Sequence, residues 1–390
     1  MEGSAGPFFV AGTAPGDRIR HGPVEMRGGV ARARLLEVLA PGAGRREPPC
    51  PRAARCGGCG WMHLDADAQR DAKRARVRRA LAPLEPPDLL ELVQAEALGY
   101  RVRARLAWRG GTLGYRARRR RDVVEAPDCA VLVPALAAVL PALGALGLRG
   151  DGELHLGLRD GRPLAVLASP SAQPPEVYAA LAGLVDASRL AGARLTCEGV
   201  SATWGASEER REGADGLPLV ASAGGFAQAH GTLERVLTEA VVAAAAPAGK
   251  RVLELYAGHG MLSVALARDA ERLVAVEQDA VAAEACRTNL AARGLRAEVR
   301  AVDARSALER PSFAPDVLVV DPPRAGIGDA RERVVGLGAP RLVYVSCEPA
   351  TLASDLRALA SAGYRLEEAR AFDLFPQTPH VETLVTLVRA

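Results

Sequence analysis

Lysine is almost missing from this chain of 390 residues. Lys73 and Lys250 are the two, and arginine supplies the rest of its 50 basic residues. A bias that uniform belongs to overall composition, not to a site. A basic leader followed by an apolar core is missing too: the first ten residues offer neither, which argues against secretion. Long apolar runs are scarce. Cys129–Leu148 passes 20 residues without a charge, enough length for a membrane span. It is rich in Ala and Gly, however, and Pro134 and Pro141 interrupt it. The expectation is a buried helix entered through a proline turn, with no membrane partner. No internal repeat or low-complexity linker stands out. Without a secretory signal, the 7 cysteines point to metal or catalysis over disulfides, and to a cytoplasmic protein.

What is present fits a folded chain of two or three domains: 49% of residues are hydrophobic and 25% charged. The net charge of +4 is too small to identify a nucleic-acid partner, but its distribution says more. Asp71–Arg79 and Arg116–Arg121 concentrate positive charge, which suits either a phosphate backbone or a solvated arginine-rich face. Residues 1–48 mix short apolar runs with Gly and Pro and read as short strands of a small β domain. Residues 49–225 read as an α+β domain, with a charged helix at Ala66–Leu81 and a helix at Ala172–Ala187. Its strands are expected within 96–125, Gly152–Ala168 and Arg194–Thr203. Residues 226–390 open on an apolar-periodic helix, Gly231–Ala246, and then alternate strand and helix. That alternation predicts a doubly wound parallel sheet.

Leu342–Ser346 reads as a buried strand that delivers Cys347 to its C-terminal end, where open α/β sheets bind ligands. Cys347 is therefore a candidate nucleophile or a small buried hydrophobe. The turn Tyr256-Ala257-Gly258-His259-Gly260 follows the first strand of this region, and Glu277 ends the next. Glycines there let backbone approach a ligand, and the acid can accept from ribose hydroxyls. Asp303 could reach an adenine amino group. The spacing is not that of a dinucleotide fingerprint, so S-adenosylmethionine is the better fit. Asp321-Pro322-Pro323-Arg324 ends the fourth strand and aims Asp321 into the crevice, although a structural turn would use the same residues. Cys50, Cys56 and Cys59 are closely spaced, and Cys129 is available as a fourth ligand. Four thiolates suit zinc or an iron–sulfur cube. Cys197 and Cys286 are expected in the core.

On these residues, from about Pro15 onward, the chain resembles the S-adenosylmethionine-dependent RNA 5-methyluridine methyltransferases, in the branch that carries a four-iron cluster. The resemblance implies an α/β protein with three parts. These are a C-terminal Rossmann-like class I methyltransferase domain, a central α+β iron–sulfur domain, and a partial N-terminal TRAM/OB-like β barrel. It makes Cys50, Cys56, Cys59 and Cys129 the ligands of a [4Fe-4S] cluster. It assigns Gln228, in Phe226-Ala227-Gln228, to cofactor and target base, and Tyr256, Glu277, Asp303 and Asp321 to S-adenosylmethionine. Cys347 becomes the nucleophile and Glu382, in His380-Val381-Glu382-Thr383, the base. The partner implied is RNA: 23S rRNA from the presence of the cluster, with transfer RNA as the alternative. No obligate protein partner is evident. The chain departs from the family pattern at Glu348, where Asn usually follows the nucleophile, at His230, and at His259 and Met261 in the cofactor loop.

The chemistry explains the residue types. C5 of uracil is a poor nucleophile; thiolate addition at C6 makes it enolate-like, and a carboxylate then removes the C5 proton. A paired base cannot reach such a pocket and must flip out. Two rivals stand beside this reading. One is a non-catalytic RNA-binding or assembly protein on the same fold, favoured by Glu348 and by the partial barrel; the other is a zinc-stabilised methyltransferase with another target base.

Overall fold

A computed structural model describes residues 2–3, 6–85, 90–118 and 120–389. The C-terminal sheet has eight strands. In spatial order they are Glu298–Arg300, Arg272–Val276, Arg251–Leu255, Val317–Val320, Arg341–Ser346, Glu382–Arg389, Tyr364–Phe372 and Glu91–Val93. Val317–Val320 is buried throughout and Arg251–Leu255 nearly so, as expected for strands covered by helices on both faces. One face packs Leu253, Val274, Leu318 and Leu342 under the helix Pro349–Ser361; the other packs Val252, Val319 and Val343 under Gly231–Ala245.

Two features correct the expected doubly wound parallel sheet. Glu382–Arg389 runs antiparallel to both of its neighbours, Arg341–Ser346 and Tyr364–Phe372. The outer strand Glu91–Val93 comes from before the central sheet and pairs parallel with Arg370–Phe372. The helix Ala66–Leu81 also lies against this C-terminal body, and its Val77, Ala80 and Leu81 join the apolar core of that sheet. Residues 66–81 and 91–93 thus pack with the C-terminal sheet although they precede the central one in sequence.

The central sheet has nine strands. Its main path runs Val123–Glu125, Thr112–Arg116, Ala104–Arg109, Asp151–Arg159, Arg162–Ser169, Gly192–Cys197, Val200–Gly205. Glu208–Glu212 and Pro218–Ser222 form a ribbon attached at Arg159↔Arg210. The helices Pro134–Gly144 and Pro175–Asp186 cover one face through Leu136, Leu140, Val177 and Leu181. Pro134 opens the first of these, the position where a missing N–H is harmless. Among the described residues no helix is long and apolar enough to cross a membrane. The amino-terminal segment forms small sheets, including Phe9–Val10 with Val30–Ala33 and Glu25–Arg27, and Arg18–His21 with Leu35–Ala40.

Candidate active site

The antiparallel step in the C-terminal sheet brings the candidate nucleophile and the candidate base to one end of the sheet. Ser346 pairs with Thr383 at the limit of the ladder, so Cys347 and Glu382, 35 residues apart in sequence, leave the sheet side by side. Asp321 leaves the adjacent parallel strand at the same edge, where its N–H points to the Leu255 carbonyl at 3.5 Å. The three acids interact. Burial first, then Glu382 and Asp321, push the Cys347 thiol up to about 12, with Arg324 pulling against them. Burial pushes Asp321 up to about 7. Glu382 is held well above the ordinary carboxylate range by burial and then by Asp321, again opposed by Arg324. Three negative charges cannot share this low-dielectric corner, so the resting site holds protons it can later move.

Glu348 does not act on the thiol in the way its position in sequence suggests. Its carboxylate accepts the Ala350 N–H at 3.4 Å as the cap of helix Pro349–Ser361 and faces Arg76 at 3.7 Å. His230 is likewise structural. It is fully buried, caps helix Gly231–Ala245, and stacks on Tyr100 with ring centroids 4.7 Å apart.

Gln228 is 4% exposed and Glu382 2%. Gln228 Oε1 and Glu382 Oε2 are both buried without a hydrogen-bond partner. Buried orphan acceptors are costly unless a ligand completes them. Phe226, two residues from Gln228, is 76% exposed.

The cofactor loop is held from below. Tyr256 takes φ +64°, unusual for an aromatic residue, and its hydroxyl donates to the Ile327 carbonyl at 3.3 Å. Gly258 and Gly260 take φ +58° and +88°, and a Cβ on Gly260 would stand 2.6 Å from Cys286 Sγ. Glu277 accepts the Gly258 N–H and the Asp279 N–H, each at 2.8 Å. Asp303 is exposed, caps the helix Ala304–Glu309, and accepts the Ser306 N–H at 2.9 Å. Asn289, the chain's sole asparagine, ties the loop to the central ribbon by donating to the carbonyls of His259 and Val220, each at 2.8 Å. His259 is buried, and burial, then Arg211 and Arg103, push it down to about 3, so it is neutral.

Cys50, Cys56, Cys59 and Cys129 come together at the outer edge of the central sheet. All seven cysteines are unpaired. Cys50, Cys59 and Cys129 pack on Met62, Tyr100 and Val131; Cys56 accepts the Gly58 N–H at 3.4 Å, and Cys129 lies 3.8 Å from the Tyr115 hydroxyl. Burial first and then the neighbouring thiols raise Cys59 to about 12, and Cys56 shifts the same way. Among the described residues no group of three His, Cys, Asp or Glu side chains is closed tightly enough to hold a metal ion. Cys197 and Cys286 are buried in the core, as expected.

Of the basic runs, Arg76 faces Glu348, and Arg118 turns inward to the Ala53 carbonyl at 3.2 Å, bracing the cysteine loop. Arg120 and Arg121 are exposed, and Arg119 lies outside the described residues. The sequence reading missed Lys73, which is fully buried. It donates to the carboxylate of Asp373 and, at 3.1 Å, to the Phe375 carbonyl, and so pins the segment leading to Glu382. Gln377 on that segment donates its N–H to Gln69 at 3.0 Å and accepts from Arg46 at 2.7 Å. It also missed Glu254, buried beneath the cofactor loop and bonded to Ser263 Oγ at 2.6 Å.

Residues 294–390, which include Asp303, Asp321, Cys347 and Glu382, match the family described as tRNA (Uracil-5-)-methyltransferase. Residues 235–332 match one described as Conserved hypothetical protein 95. The 23S rRNA (uracil(1939)-C(5))-methyltransferase RlmD of Pseudomonas entomophila is 34% identical over 401 residues, 97% of this chain and 88% of that protein. Its namesake from Halomonas elongata is 32% identical over 412 residues, 97% and 84% of the respective chains. The crystal structure of Pyrococcus abyssi tRNA (uracil-54, C5)-methyltransferase with S-adenosyl-L-homocysteine shares the fold. Its TM-score is 0.79 at 23% identity, over 98% of this chain and 95% of that one. With such identity over nearly its whole length, the chain belongs to the RNA uracil-C5 methyltransferase family.

Proposed function

We propose that this protein methylates C5 of a uridine in 23S rRNA through a covalent adduct between Cys347 and C6. The observation that carries the reading is the antiparallel ladder that ends at Ser346↔Thr383, setting a thiol beside a buried carboxylate with an unpartnered oxygen. The rRNA substrate follows the relatives named above; transfer RNA is the second reading, favoured by the description of the matched family and by the Pyrococcus abyssi enzyme. Work on ribosomal RNA fits a cytoplasmic enzyme. Glu348, which favoured a non-catalytic rival, is engaged as a helix cap and leaves the thiol alone.

In this reading S-adenosylmethionine supplies an electrophilic methyl group beside the loop Tyr256–Gly260. Glu277 braces that loop and would hold the ribose hydroxyls, and Asp303 would hold the adenine amino group. Asp321, poised at about 7, takes the proton that Cys347 releases. Glu382 takes the C5 proton in its ionised form once the methyl group is in place; its raised pKa makes that carboxylate a stronger base, and protonation of Asp321 removes the neighbouring charge that opposes its ionisation. Removal of that proton drives elimination and frees Cys347. Gln228 Oε1 accepts from the flipped base.

We assign Cys50, Cys56, Cys59 and Cys129 to a [4Fe-4S] cluster. What supports it is the donor set: four half-buried thiols gathered at one corner, three of them on the patch of Met62, Tyr100 and Val131, the number and type of donor such a cluster takes. Its role there is structural, joining the loop 50–59 to the sheet edge at Cys129. Zinc without iron in anaerobically purified protein would overturn it.

The decisive test is a denaturing gel of labelled RNA. Wild type should form a stable adduct with 5-fluorouridine RNA. Glu382→Gln should methylate ordinary RNA and stall as an adduct, and Cys347→Ala should form none. An adduct with Cys347→Ala would give the nucleophile to another residue, and fast turnover by Glu382→Gln would give the base to another.

A further inference from the structure

Gln228 lies on a loop, not on a strand or helix, and a loop does not by itself hold a side chain to the precision that catalysis needs. The segment crosses from the central ribbon to helix Gly231–Ala245. Two arginines reach it from the central unit. Arg103 Nη2 donates to the Gly225 carbonyl at 2.7 Å and Nη1 to the Ala227 carbonyl at 3.2 Å. Arg211 Nη1 donates to the Gln228 carbonyl at 3.1 Å. Each arginine is held by a buried acid. Arg103 meets Glu209 at 2.7 Å, and Arg211 grips Glu234 with both nitrogens at 2.9 and 3.2 Å.

The first pair shows what the arrangement serves. Arg103 and Glu209 could make two parallel bonds, the stronger geometry for this pair. They make one, leaving Arg103 Nε and Glu209 Oε2 buried and unpartnered. Arg103 Nη2 is shared between its acid and the loop backbone, and Nη1 goes to the loop. Gly157 makes room for this, because a Cβ there would overlap the Glu209 carboxylate. Phe226, between the clamped carbonyls of Gly225 and Ala227, stays exposed, so the arginines hold the loop through its backbone and leave that side chain free.

We propose that Arg103 and Arg211 are positioning residues, a two-armed clamp that fixes Phe226-Ala227-Gln228 so that Gln228 Oε1 meets the flipped base. This rests on the uridine-methylation reading. The arms touch neither base nor cofactor; they act through three carbonyls. An arm shortened to lysine keeps its charge but cannot span acid and carbonyls together.

The test uses full-length Arg103→Lys, Arg211→Lys and Gly157→Ala. Gly157→Ala alters no charge and displaces Glu209 alone. Hydrogen–deuterium exchange of residues 223–229 should rise at least about tenfold in each, with strand Arg251–Leu255 still protected. Unchanged exchange overturns the clamp, as does unfolding of only the outer central sheet with the loop still protected. This arm holds whether or not the substrate is a uridine. Absence of 5-methyluridine with wild type would sink the functional reading alone. In the active enzyme, kcat/KM for RNA should fall about 10- to 100-fold, with the KM for S-adenosylmethionine within twofold. Combined with Gln228→Ala, either lysine variant should cost nothing further. Full additivity, or an equal loss of cofactor affinity, would make the arginines merely structural.

Discussion

Lys73 offers a sharp test of how the segment leading to Glu382 is held in place. Its ammonium is fully buried beneath helix Ala66–Leu81 and bonds to Asp373, 300 residues away in sequence and 3% exposed. Lys73→Met keeps the length of the side chain and removes the charge. Asp373 then keeps a buried carboxylate with no cation, and the Phe375 carbonyl loses its donor. Removing one partner of a buried pair costs about 3–5 kcal/mol, because the remaining charge is left uncompensated. Against a total stability of about 5–15 kcal/mol, that is a large share. At roughly 2–4 °C per kcal/mol, the melting transition of the C-terminal body should fall by about 6–20 °C in calorimetry. Lys73→Met/Asp373→Leu removes both charges and should regain most of the loss. A single variant costing under about 1 kcal/mol, or a double no better than the single, would refute the view that this pair ties Ala66–Leu81 to the segment before Glu382.

Three further outcomes are expected. With Asp321 at about 7, kcat/KM should rise as pH climbs through neutrality and then level, and Asp321→Asn should shift that limb, leaving only the titration of Glu382, and lower the rate by about 10²–10⁴. The same group acts oppositely on stability: its folded pKa lies above the unfolded one, so its contribution is full below about 4 and is lost as pH rises through about 7. Cys129→Ala should lower iron content and solubility together in protein purified anaerobically; full iron with normal solubility would remove Cys129 from the ligand set. Neutralising Arg120 and Arg121 should weaken RNA binding and flatten its salt dependence by about two units of log–log slope, with cofactor affinity unchanged; an unaltered slope would place the RNA elsewhere.

The positions of the two candidate residues were legible because each marks the end of an apolar strand: Cys347 follows Leu342–Ser346, and Glu382 opens Glu382–Arg389. Periodicity reports a strand but not its direction, so the antiparallel step that sets Cys347 beside Glu382 could not be read from it. Glu91–Val93 is three residues long, too short to carry a pattern, and its partner strand lies far down the chain. The helices Ala304–Glu309 and Arg331–Leu337 escaped for the same reason of length. Arg103 was hidden by its neighbours. In Arg101–Arg105 every second residue is arginine, which looks like a solvated strand face, yet Arg103 turns inward to a buried acid. Lys73 was hidden in the same way inside a basic run. Long-range polar pairs leave no local trace, because the partner that makes burial tolerable is hundreds of residues away.

The burial of Lys73 has a practical outcome at the bench. It leaves Lys250 as the one exposed lysine, at the start of strand Arg251–Leu255 and so at the opposite edge of the sheet from Cys347 and Glu382. An amine-directed dye applied to the native protein will attach, the α-amine aside, at a single known point well away from the reacting groups. Without any engineered cysteine to compete with the native thiols, the wild-type sequence comes ready for fluorescence measurements of RNA capture and release.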